Sequence, residues 1–210
     1  MPVITVSRMF GSGGSILAAD LARTLGWTLV DSAFVEGVAQ RLGTTPASVE
    51  AMEERLPSLA ERLADAFAFG STEVVSASLG TPMPPTEQRL LEMTRHVIDD
   101  TLARGPAVLV GRGAQSYLRE RQDALHVLCC APHEALVERV MQREGVSREQ
   151  ADALVVEKNR QRHEYVRQHW QREWLAPVNY HLCVNTGWLG LDGALELVVR
   201  LARDRFELRR

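Results

Sequence analysis

Apolar residues in this chain fall into short compact runs separated by stretches of helical spacing. Val3 to Ser7 is β-branched and apolar, as expected of a parallel strand buried on both faces. A glycine-rich turn follows. Ile16, Leu17, Leu21 and Leu25 then recur at helical spacing, and Gly26 closes that helix. Residues 27–30 predict a second strand ending at Asp31-Ser32. A helix through Val35, Val38, Ala39 and Leu42 stops near Gly43. Thr45-Pro46 opens another, at a position where the missing proline N–H costs nothing. Leu56 to Phe69 is amphipathic and acidic, and residues 70–85, rich in Gly, Ser and Pro, predict a mobile loop. A long helix is expected from Glu87 to Arg104. Strands are expected at Ala107–Val110 and Ala124–Cys130, and a helix starts at Pro132. Ser147 with Gln150 reads as the cap of a basic helix reaching about Tyr165. Tyr180–Val184 is the fifth strand and residues 191–206 the last helix. Strands alternating with helices imply an α/β fold with a five-stranded parallel sheet and right-handed crossovers.

Length and composition add limits. A chain of 210 residues, 45% hydrophobic and 24% charged, suits one domain, residues 1–210, with a real core. The net charge of −3 and the lack of a base-reading motif argue against nucleic acid as a partner. No membrane-spanning or signal stretch is evident. Cys129 and Cys130 are neighbours on a predicted strand, so they point to opposite faces and are poorly placed to pair. Three cysteines without metal-ligand spacing fit core residues in a reducing cytoplasm.

The candidate chemistry begins at the first turn. Backbone N–H groups of Gly11, Ser12, Gly13, Gly14 and Ser15, with the N-terminus of the following helix, form a potential phosphate site. A standard phosphate loop reads G-x-x-x-x-G-K-[ST], its lysine reaching the β- and γ-phosphates. Here Arg8 stands at the first glycine and Gly14 at the lysine, while Ser15 keeps the hydroxyl that would face Mg2+. Lys158 is the only lysine in the chain, so phosphate charge must be met mostly by arginine. Gly111-Arg112-Gly113 ends the third strand, where ligands of open α/β sheets gather. Arg160, Glu164 and Arg167 share a helix face, and several guanidinium groups there suit the charge of a transferring phosphoryl group. The bland alternatives are a tight turn, a solvated arginine and a charged surface helix.

Taken together, Ile4-Thr-Val-Ser-Arg-x-Phe-Gly-Ser-Gly-Gly14, Val30-Asp31, Val110-Gly-Arg-Gly113, Arg160 to Arg167, Trp174, Pro177 and Tyr180 through Thr186 resemble the cytidylate kinase-like family of P-loop kinases. The likeness covers almost the whole chain, and the family's opening motif commonly lacks the lysine. It implies a P-loop kinase-like three-layer fold with a helical acceptor-binding part at about 32–85 and a helical, arginine-bearing lid at about 147–176. It implies ATP and Mg2+ as cofactors, with Gly11 to Ser15 holding ATP and Asp31, Ser32 and Arg112 on the acceptor side. Arg160 and Arg167 would clamp the phosphates from the lid, with Arg8 flanking the loop. Where authentic cytidylate kinases have a lysine, a G-R-D aspartate and an acidic residue before the last strand, this chain has Gly14, Gly113 and His181. The expected activity is ATP-dependent phosphoryl transfer to a CMP-like nucleoside monophosphate or another small acceptor. The alternative is a non-catalytic nucleotide-binding or regulatory protein on a kinase scaffold. The helices at 46–69 suit either acceptor cover or a homodimer contact.

Overall fold

A computed structural model of the chain describes residues 1–31, 87–111 and 113–208. The chain divides into two compact units, residues 1–33 with 95–210, and residues 34–94. The helices expected between 35 and 69, the loop at 70–85, Ser32 and Arg112 lie outside the described residues.

The first unit is built on five parallel strands: β1 (Val3–Arg8), β2 (Thr28–Asp31), β3 (Ala107–Val110), β4 (Ala124–Cys130) and β5 (Leu182–Asn185). Their order is β2-β3-β1-β4-β5, with every pairing parallel. The helices are α1 (Gly14–Leu25), α2 (Glu87–Arg104), α3 (Ala114–Tyr117), α4 (His133–Glu144), α5 (Arg148–Trp170) and α6 (Thr186–Phe206).

Side-chain alternation along β1 explains the layers. Ile4 and Val6 face a core shared with Leu17 and Leu21 of α1 and Ala194, Val198 and Ala202 of α6. Val3 faces the other way, with Leu109, and packs with Ile98 and Leu102 of α2 and Ala114 of α3. Every residue of β1 and β3 is buried; β3 is accordingly a continuous apolar run, while β1 also buries Thr5, Ser7 and Arg8. A third cluster joins α4 and α5 through Leu136, Val137, Val140, Ala151 and Val155.

Local signals mostly hold. Gly26 adopts the left-handed conformation (φ 67°) and its N–H caps α1. Ser147 and Gln150 form a complete capping box on α5. Three segments differ from expectation. The basic helix runs on to Trp170, with Val166 buried against the fold and Gln171 (φ 53°) closing it in the left-handed conformation. Residues Pro177–Asn179 form a 3-10 turn, so β5 starts at Leu182 and not at Tyr180; the Tyr180 hydroxyl donates to the Trp174 carbonyl (2.7 Å). The last helix starts at Thr186, because the Asn185 side chain accepts from the N–H groups of Gly187 and Trp188. Within it Gly190 (φ 71°) makes a kink.

Candidate functional site

The turn between β1 and α1 is tightly held. Ser12 closes it through its N–H and its hydroxyl, both donating to the Met9 carbonyl (3.2 and 2.8 Å). Gly11 and Gly13 both have positive φ (86° and 75°), and Gly13 caps α1. A Cβ on Gly11 would lie 2.7 Å from the Leu136 carbonyl oxygen, so the loop lies directly against the start of α4. Gly14 begins the helix, and its N–H and those after it point out of the first turn.

Arg8, the last residue of β1, runs alongside this turn. Its side chain is 8% exposed, its Nε donates to Ser15 Oγ (3.1 Å), and its Nη2 reaches Asp31 Oδ1 (3.4 Å). Arg8 packs so closely on Gly14 that a Cβ there would come within 2.5 Å of Arg8 Cβ and 3.1 Å of Cys129 Cβ. The chain thus has an arginine beside the position where a phosphate loop carries lysine, and that arginine needs the glycine. Cys129, also against Gly14, is fully buried, and burial pushes its thiol up to about 12, so it stays neutral and inert.

Two polar residues of α5 hold the loop from the side. Asn159 Oδ1 accepts from the Phe10 N–H (2.7 Å), and Arg162 Nη1 donates to the Arg8 carbonyl (2.7 Å). The Phe10 ring lies under the guanidinium groups of Arg143 (4.7 Å) and Arg162 (5.6 Å). From α4, Arg139 donates to the Ser12 carbonyl (3.2 Å), to Thr186 Oγ1 (2.9 Å) and to the Thr186 carbonyl (2.6 Å). The Thr186 hydroxyl also donates to the Ser12 carbonyl (2.7 Å).

The structure therefore brings together Gly11, Ser12, Gly13, Gly14, Ser15, Arg8 and Asp31. Arg160 is exposed and paired along its own helix with Glu157 (2.9 Å) and Glu164 (2.6 Å), and Arg167 is exposed. Neither bonds to the loop. Sequence reading included Arg162 and Thr186 in motifs but assigned no role in holding the loop to them, to Arg139 or to Asn159. A signal for two of them was present: Val155, Asn159, Arg162 and Val166 make one stripe at helical spacing, with Val155 and Val166 buried. Polar residues inside an apolar stripe face the protein. Arg139 and Thr186 carry no such mark. An open groove of about 790 Å³, lined by Thr24, Asp192, Glu196 and Arg200 among others, lies at the far end of α1 from the loop.

A parallel five-stranded sheet covered on both faces, with a glycine-rich turn between the first strand and first helix, defines a P-loop kinase-type α/β protein. The family model described as "Cytidylate kinase-like family" matches residues 3–187, and the chain belongs to that family. An uncharacterized protein from Eubacterium ventriosum superposes with a TM-score of 0.69 at 18% identity, covering 96% of this chain and 98% of that one. A gluconokinase from Sinorhizobium meliloti 1021 gives 0.53 at 15% identity, covering 98% and 96%. Both show the shared fold. In sequence, a uronate isomerase of Corynebacterium glutamicum is 26% identical over 140 residues, 67% of this chain. The chain spans only 27% of that protein's length.

Proposed function

We propose that this protein transfers the γ-phosphoryl group of ATP to a small acceptor, a CMP-like nucleoside monophosphate or another small phosphate acceptor. Arginine takes the part of the loop lysine. The observation that carries this reading is Arg8, nearly buried against Gly14 and bonded to Ser15 at the first turn of α1. Phosphoryl transfer asks little covalent chemistry of a protein. It asks for in-line positioning and for positive groups where charge spreads over the transferring oxygens. The loop N–H groups of Gly11 to Ser15 would hold the phosphates, and Arg8 would stand beside them. Asp31, bound to Arg8, with Ser32 and Arg112, would serve the acceptor. Ser15 and Asp31 carry hard oxygens of the kind magnesium prefers, and Ser15, accepting from Arg8, keeps a second lone pair. Magnesium bound there would neutralise phosphate charge. Arg160 and Arg167 would clamp the phosphates from α5, the lid helix. The protein would act in the cytoplasm.

The test is ADP release with each common nucleoside monophosphate, with and without magnesium. Arg8→Ala should lower kcat by about 10²–10³-fold if it replaces one preorganised charge donor. Arg160→Ala and Arg167→Ala should lower kcat more than they weaken ATP binding, and unchanged turnover in both removes the lid role. One observation favours a second reading, a nucleotide-binding protein without turnover: Arg160 is already tied to Glu157 and Glu164. ATP binding with no acceptor-dependent ADP would establish that reading and end the first.

A further inference from the structure

β5 begins at Leu182, opposite Val127, so the N–H of His126 lies just before the β4–β5 ladder starts. His126 is 3% exposed, and a buried N–H needs an acceptor. Here the acceptor is a side chain: His181 Nδ1 takes the His126 N–H at 3.0 Å. In return the His181 N–H donates to the His126 carbonyl (2.8 Å), and the two rings stack with centroids 4.9 Å apart and planes 15° apart. His181 is exposed, so solvent protons reach it, while the N–H it holds belongs to a buried residue.

An imidazole accepts at Nδ1 only while that nitrogen carries no proton. A backbone N–H can only donate, so this bond fixes His181 as neutral, with its ring proton on Nε2. Protonation from solvent forms an N–H bond at Nδ1 and sets donor against donor. Imidazole is also the side chain whose ordinary charge change falls between pH 5 and 8. The titratable and charged groups around it are His126 from β4, Arg172 from the segment after α5, and Tyr180 and Cys183 beside it in the chain. His126 stays neutral down to about pH 4, burial keeps the Tyr180 and Cys183 protons on, and Arg172 is a cation. Among the described residues no carboxylate bonds to His181, so nothing there accepts from a protonated Nδ1.

We propose that His181 is a proton-sensitive latch on the segment that leads from α5 into β5. Neutral, it ties the start of β5 to β4 through the His126 N–H; protonated, it lets that N–H go. The rest of the segment is held without it. Trp174 is 2% exposed, the Tyr180 hydroxyl donates to the Trp174 carbonyl (2.7 Å), and Gln115 of α3 donates to the Asn179 carbonyl (2.7 Å). Acid therefore frees the β5 end of the segment and leaves the α5 end in place. The latch goes beyond the kinase reading, does not rest on it and needs no ligand.

Amide exchange reads the latch one residue at a time, which matters because global unfolding also reports His126. In ¹⁵N-labelled full-length protein, protection is taken relative to the unstructured exchange rate at the same pH. Between about pH 7.5 and about pH 5.5 the His126 amide should lose about tenfold in protection, the worth of one hydrogen bond. Ile4 and Val6 of β1 should keep theirs. The His181 ring resonance should titrate in step with that loss. Asn and Asp place an oxygen where Nδ1 stands, and neither gains a proton in this range. His181→Asn and His181→Asp should therefore keep the His126 amide protected at both pH values. His181→Phe, which stacks but cannot accept, should leave it weakly protected at both. Constant protection at His126 in the parent overturns the proposal. So does an equal fall in His181→Asn, a His181 ring that takes up no proton in this range, or a matching loss along β1, which would mean general loosening by acid.

Discussion

Gly14 and Arg8 settle, at the scale of single residues, what the missing lysine means. A lysine at position 14 would place its Cβ 2.5 Å from Arg8 Cβ, a rigid part of that side chain, and 3.1 Å from Cys129 Cβ. Overpacking of this kind costs about 1–3 kcal/mol. Gly14→Lys is therefore expected to lower the melting temperature and to add no activity, whereas the double variant Arg8→Gly, Gly14→Lys should regain stability. A Gly14→Lys protein as stable as the parent would contradict the packing described. His126 makes a second residue-scale case. It is 3% exposed on β4, its Nδ1 lies 2.8 Å from Thr5 Oγ1, and its ring stacks on His181 (centroids 4.9 Å apart). Burial, and then the charge of His181, bring its pKa from 6.5 down to about 4. The unfolded imidazole takes up a proton below about pH 6.5 that the folded one refuses until about pH 4. Its contribution is thus complete above pH 6.5 and declines as pH falls through that window, by about 2 kcal/mol at pH 5. Chemical denaturation between pH 7.5 and 5 should show this slope in the parent and lose it in His126→Gln; equal slopes would remove His126 as the cause.

At the scale of elements, α5 decides how the loop is held. Its arginines looked alike in sequence, but its buried stripe selects Asn159 and Arg162 for the interior and turns Arg160 and Arg167 outward. The Asn159 carboxamide is the acceptor for the Phe10 N–H at 2.7 Å. Asn159→Ala leaves that amide without its partner and should cost about 1–2 kcal/mol. Hydrogen exchange at the Phe10 amide should accelerate more than at Ile4 or Val6 of the preceding strand, β1. Uniform acceleration along β1 would instead mean general loosening.

At the scale of the whole molecule, Arg139 joins segments far apart in the chain. From α4 it holds the loop at Ser12 and the start of α6 at Thr186, so the two meet through one guanidinium. Arg139→Leu, which loses three charge-assisted bonds, should cost on the order of 3 kcal/mol in denaturant unfolding. With Thr186→Val, a double-mutant cycle should show coupling of about 1 kcal/mol, because both groups share the Ser12 carbonyl. Strict additivity would show that the two act separately.

The amino-acid sequence by itself determined the parallel α/β sheet, the positions of its five strands, the capping of α1 and α5, and a lysine-free glycine turn after β1. These follow from local physics: buried strands read as apolar runs, helices as a 3.6-residue period, and caps as Gly or Ser at fixed places. Tertiary structure decided the rest. Arg8 meets Gly14 and Asp31, Arg162 faces inward where Arg160 does not, and Trp170 settles on Gly113. The last two depend on how α5 docks on the carboxyl end of the sheet, and each contact joins residues of different elements, in the case of Arg162 and Arg8 residues 154 apart, on which local periodicity is silent.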